Sequence, residues 1–96
     1  MGYFKRGQLK GMFYNCENLT TLDLSHFNTS LVYYMNEMFY GCKSLKSLDL
    51  SSFDTSNLEE MELMFGNCKS ITSLRMPKLK GSEVCNLNEV FLIVSH

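Results

Sequence analysis

Residues 38–63 read MFYGCKSLKSLDLSSFDTSNLEEMEL, and the 26 residues before them say nearly the same thing. Residues 12–37 and 38–63 are identical at 13 of 26 positions. Met12-Phe13-Tyr14-Asn15-Cys16 returns as Met38-Phe39-Tyr40-Gly41-Cys42 and then as Met64-Phe65-Gly66-Asn67-Cys68, a step of 26 each time (38 − 12 = 64 − 38 = 26). A period of roughly 20 to 29 residues is the mark of a stacked architecture in which each unit touches only its neighbours. Function is then expected on a surface rather than in a pocket built from distant residues.

Within one unit, Leu45, Leu48, Leu50 and Phe53 follow the spacing L-x-x-L-x-L-x-x-F. Leu48 and Leu50 alternate with Ser47 and Asp49, which predicts a short strand with leucines inward and polar groups outward. The inward set is Leu19, Leu22, Leu24 and Phe27 in the unit before, and Ile71, Leu74, Met76 and Leu79 in the unit after. Asp54-Thr55-Ser56-Asn57 is a turn, and Ser56 with Glu59 reads as a capping box opening a helix. Leu58, Met61, Met64 and Phe65 recur as one face of that short helix. Its left-handed exit falls to Asn15, Gly41 and Asn67, which share one register. The expected architecture is α/β: a parallel sheet three or four strands wide on one side, short helices on the other. A single domain spans 1–96, with a partial coil 1–11, coils 12–37, 38–63 and 64–89, and a tail 90–96.

The spacing resembles a leucine-rich-repeat solenoid. Its continuation resembles one subgroup, the BspA-type surface proteins, whose unit runs M-F-x-x-C-x-x-L-x-x-L-D-L-S-x-F-D-T-S-N-V-x-x-M. Residues 38–61 match nearly throughout, with Leu58 for Val; in residues 12–37, Asn28 replaces Asp and Leu31 replaces Asn. The third unit departs at Arg75, Pro77-Lys78 and Lys80-Gly81, although Val84, Leu87, Val90 and Phe91 keep the apolar pattern. The resemblance implies a cell-surface or extracellular module that adheres to a host or neighbouring-cell protein, with no catalytic residues. Two other roles are compatible with the residues: spacer coils of a longer array, and an intracellular leucine-rich scaffold.

The solvent-facing strand positions form the expected protein-binding face: Thr21, Asp23, Ser25 and His26, then Ser47, Asp49, Ser51 and Ser52, then Ser73 and Arg75. Asp23 and Asp49 are expected to stack and repel, with Arg75 beside Asp49 offsetting part of that. Tyr33 and Tyr34 are the expected exposed aromatics.

Other chemistry finds little support. His26 and His96 stand far apart with no partnered nucleophile, and no glycine-rich phosphate loop is present. The chain reads as non-enzymatic and without a cofactor. Cys16, Cys42 and Cys68 fall in register and Cys85 outside it, which favours buried free thiols over disulfides; no spacing suits zinc. A net charge of −1 argues against nucleic acid. The longest apolar run, Val90–Val94, is too short to insert in a membrane. The first residues lack the apolar stretch of a signal peptide. Apolar residues at both ends of the stack add one more expectation, end-to-end self-association or membership of a longer array.

Overall fold

The computed structural model of the chain describes residues 7–79. The expectations placed on Val84, Cys85, Leu87, Val90–Val94 and His96 lie outside those residues.

The segments expected to be helices are runs of tight turns. In the first unit the N–H groups of Met12, Tyr14 and Cys16 donate to the carbonyls of Leu9, Gly11 and Phe13, three residues back, at 3.2, 3.0 and 3.1 Å. The alternate N–H groups leave the unit. Those of Gly11, Phe13 and Asn15 donate to the carbonyls of Asn36, Met38 and Tyr40 at 3.0, 2.9 and 2.6 Å. The second unit repeats the arrangement, with Met35, Glu37, Phe39 and Gly41 donating to Glu60, Glu62, Met64 and Gly66. An α-helix sends every N–H to the carbonyl four residues back within its own segment. A segment that gives every second N–H to its neighbour cannot be one.

Backbone handedness enforces the same outcome. Gly11, Glu37 and Leu63 have φ of 60°, 57° and 54°, while Asn15, Gly41 and Asn67 have φ of 56°, 74° and 56°. Each unit therefore carries two left-handed residues four positions apart, where a right-handed helix tolerates none. The second of these falls where the sequence predicts it, at the residues expected to accept positive φ. The capping box does not form: Ser56 turns its N–H (2.9 Å) and its hydroxyl back to Asp54 Oδ1 instead of opening a helix.

Regular strand is limited to β1 (Ser47–Asp49) and β2 (Ser73–Arg75), parallel, with Ser47 opposite Ser73, Leu48 opposite Leu74 and Asp49 opposite Arg75. Two isolated parallel bridges, Gln8 to Tyr34 and Tyr34 to Glu60, share that 26-residue offset. The expected leucine-rich-repeat solenoid is thus corrected. Among the described residues there is no helix and no sheet of three or four strands. The chain closes into a small globule of 34 × 29 × 21 Å.

Its core is nonetheless built from register-equivalent residues. Phe13, Phe39 and Phe65 stack with ring centroids 5.5 and 5.6 Å apart and planes within 5° and 1° of parallel. Such pairs contribute about 0.5–1.5 kcal/mol beyond the area they bury. Leu24, Leu48 and Leu50 are buried, and Leu22 and Leu74 pack against them half-buried. Cys16, Cys42 and Cys68 are free thiols, and the two buried ones donate to carbonyls of the preceding unit: Cys42 to Phe13 at 3.1 Å, Cys68 to Phe39 at 3.0 Å. Burial, aided for Cys42 by the neighbouring Cys68, pushes both thiols up to about 11.

Thr29 and Thr55 are fully buried polar residues in segments whose sequence predicts a surface turn. The Thr29 hydroxyl donates to the Asp54 carbonyl at 3.1 Å and accepts the Asp54 N–H at 2.9 Å. Thr55 donates to the Lys78 carbonyl at 2.8 Å. Each buried hydroxyl finds its partner in the next unit, so the two pin successive turns together rather than penalise the core.

Candidate functional site

Successive units place equivalent side chains on one face. Thr21, Asp23, Ser47, Asp49, Ser73 and Arg75 line a shallow depression of about 270 Å³, together with Leu22 and Leu48. All six polar residues are exposed except Ser47, which is half-buried. Ser25, His26, Ser51 and Ser52 are exposed as well, but they lie in the turns that follow and do not line the depression. Six of the ten residues expected on the face therefore converge, and four stand beside it.

The two acidic side chains are less free than their exposure suggests. Asp23 Oδ1 accepts the Ser25 N–H and Asp49 Oδ1 accepts the Ser51 N–H, each at 2.9 Å. Each aspartate thus closes a turn on its own chain, as Asx residues do. The Ser25 hydroxyl and N–H hold the Asp23 carboxyl below the ordinary carboxylate value, with a small further contribution from His26. Ser51 does the same for Asp49, and the Arg75 charge adds the least. Arg75 sits opposite Asp49 in the strand pair, yet no ion pair closes between them; among the described residues the contact within 4.0 Å is Lys43 to Glu17 at 3.8 Å. That pair is exposed on both sides and contributes at most about 1 kcal/mol. The Asp49–Arg75 relief expected from sequence is a through-space effect only.

The aromatic expectation separates into two. Tyr33 is 44% exposed, whereas Tyr34 is half-buried, edge-on to Tyr33 at 6.3 Å and capped by the Lys10 ammonium 4.8 Å from its ring centroid. Sequence reasoning misses Tyr14, which is 48% exposed and stacks on Tyr40 at 5.3 Å. Its register with Tyr40 is the signal that could have found it. Asn28 closes a turn of its own, its Oδ1 accepting the N–H and hydroxyl of Ser30 at 3.1 and 2.8 Å.

Among the described residues no three His, Cys, Asp or Glu side chains gather as metal ligands, and no helix is long and apolar enough to cross a membrane. A family model described as Mycoplasma protein of unknown function, DUF285, matches residues 7–95. The chain belongs to the DUF285 family. No curated protein and no solved structure matches it. The DUF285 match spans all three units and the residues that line the depression.

Proposed function

We propose that this chain is a non-enzymatic protein-binding module whose contact face is the depression between Asp23, Asp49 and Arg75. In keeping with its resemblance to the BspA-type surface proteins, we assign it a role in adhesion to a host or neighbouring-cell protein. One observation carries the reading: three hydroxyls and three charges, supplied two from each unit, converge on one open concavity. Each aspartate is already oriented by its own turn, so less side-chain freedom is lost when a partner engages it. The graded charge, acidic towards Asp23 and basic at Arg75, favours a partner of complementary polarity and sets its orientation.

A spacer role is the second reading, supported by the hydrogen bonds and ring stacks that tie the units to one another. The two part company in one experiment. The chain and its Asp23→Asn/Asp49→Asn/Arg75→Gln variant are immobilised and exposed to biotinylated cell-surface proteins from mammalian epithelial cells. The adhesive reading expects saturable capture by the parent and about tenfold less by the variant, with matching circular dichroism and urea midpoints. Equal capture by both proteins, or none by either, rejects it and leaves the spacer.

A further inference from the structure

The depression is built as two rows that cross the units. Thr21, Ser47 and Ser73 form a row of hydroxyls, and Asp23, Asp49 and Arg75 form a row of charges two residues further along each unit. Backbone pairing holds both rows in register. Ser47 lies opposite Ser73 and Asp49 opposite Arg75. The Lys46 N–H donates to the Thr20 carbonyl at 3.0 Å, just as the Thr72 N–H donates to the Lys46 carbonyl at 3.0 Å. Residues two apart in extended chain share a face about 6.6 Å apart, and neighbouring strands lie about 4.8 Å apart. A trough therefore runs across the three units, hydroxyls on one bank and charges on the other, with Leu22 and Leu48 in its floor.

Both banks keep bonding capacity. Among the described residues no hydrogen bond engages the hydroxyls of Thr21, Ser47 and Ser73, and neither a hydrogen bond nor an ion pair engages the Arg75 guanidinium. The Asp23 and Asp49 carboxylates each give Oδ1 to the turn that fixes them. A carboxylate has about four acceptor sites, so each can still take a donor from outside.

The spacing of the charges selects an occupant. A cation lodged midway between Asp23 and Asp49 stands one and a half strand spacings, about 7 Å, from Arg75. Side chains i and i+2 of an extended peptide lie about 6.6 Å apart on one side, and the side chain between them points to the other. Resting on the binding reading above, we infer that the partner lays an extended peptide segment along this trough, with a basic and an acidic side chain two residues apart. The cation sits between Asp23 and Asp49, the carboxylate meets Arg75, and the intervening side chain turns to the hydroxyl row. The charges fix which end lies over which unit; either chain direction satisfies them. A second copy of this chain does not supply the segment, because nowhere in its 96 residues do opposite charges stand two apart.

The test titrates the isotope-labelled full chain at low salt with two capped peptides, Gly-Lys-Ser-Glu-Gly and Gly-Lys-Ser-Lys-Gly, following the amide shifts of Ser25, Ser51 and Leu74. Unselective attraction to a chain of net charge −1 favours the doubly basic peptide. A preference of the parent for the mixed peptide, expected at about fivefold, therefore reports the charge order itself. Arg75 is exposed, so Arg75→Glu should leave the fold intact by circular dichroism and reverse the preference. Gly-Lys-Glu-Ser-Gly, whose charges point to opposite banks, should lose most of the gain. No shift at these amides, equal binding of the mixed and doubly basic peptides, or a preference unchanged by Arg75→Glu overturns the proposal. So does a peptide-free dimer whose contacts lie in the trough. If capture of cell-surface proteins still depends on the three charges, such a result removes this partner chemistry alone; if that capture fails as well, the binding reading falls with it.

Discussion

Met12, Phe13, Cys16, Leu19, Leu22 and Phe27 in the first unit have their namesakes at Met38, Phe39, Cys42, Leu45, Leu48 and Phe53 in the second. The first six are half-buried; the second six are no more than 6% exposed. Residue type is constant across the comparison, so the difference comes from having one neighbouring unit or two. The third unit extends the point. Its strand-side residues Ile71, Leu74 and Met76 are again half-buried, while Met64, Phe65 and Cys68 are buried. Burial in this molecule is a property of position in the stack, and the stabilisation each side chain provides should follow it.

The hardest test of that comparison is a matched truncation. Phe39→Ala removes a ring packed on both faces and should destabilise the chain by about 3–5 kcal/mol, whereas Phe13→Ala, half-exposed, should lose about half as much. Urea denaturation of the two variants reads the difference directly, and equal losses would mean that the first unit's outer face is covered after all. A smaller effect separates two glycines that share left-handed backbone. Gly41→Ala forces a methyl group onto the Asn15 side chain of the neighbouring unit as well as straining φ, and should destabilise by about 2–3 kcal/mol. Gly11→Ala meets only Tyr14 Cβ at an ordinary 3.6 Å and should show the backbone strain alone, about 1 kcal/mol. Thermal or urea midpoints that fail to separate the pair would argue against the contact with Asn15.

The smallest expected effect concerns pH. The Cys42 and Cys68 thiols are raised in the folded chain from an ordinary 9.0 to about 11. Their contribution is fully present below pH 9.0 and is lost as pH rises through the folded value of about 11. Stability should therefore decline on the alkaline side by about 1 kcal/mol or more between about pH 8 and pH 10.5. The Cys42→Ser/Cys68→Ser variant keeps a donor for each carbonyl but does not ionise there, and its decline should be shallower. Parallel slopes for parent and variant would show that the buried thiols do not govern that limb.

Much of this is legible in the amino-acid sequence itself. The 26-residue step reappears as the offset of the strand pair and of both isolated bridges. The alternation around Leu48 places the leucine in and the serine and aspartate out, and six of the ten residues named for the face line one depression. Asn15, Gly41 and Asn67 are readable because their residue types tolerate positive φ. The helical expectation fails for an equally physical reason. Apolar residues at Leu58, Met61, Met64 and Phe65 satisfy a helical face and a run of tight turns equally well. What distinguishes them is the second left-handed position, and of Gly11, Glu37 and Leu63 only the glycine advertises it. Tertiary hydrogen bonds to the next unit hold Glu37 and its neighbours in a conformation their propensities do not favour. Ser56 misleads similarly, because a serine two residues after an aspartate serves an Asx turn as readily as a helix cap. The buried Thr29 and Thr55 carry no signal, since a threonine in a turn motif is ordinarily at the surface.

The alternation of inward-bonding and neighbour-bonding N–H groups has a consequence for how such chains can vary. Adding or deleting one residue between Leu9 and Cys16 would exchange the two classes for everything downstream in that unit: amides meant for the neighbour would face their own turn, and the phenylalanine would leave its column. A change of two keeps that alternation but still loses the 26-residue offset to the neighbouring unit and the four-residue spacing of the left-handed positions. This segment should therefore vary by substitution and reject any insertion or deletion shorter than a whole unit.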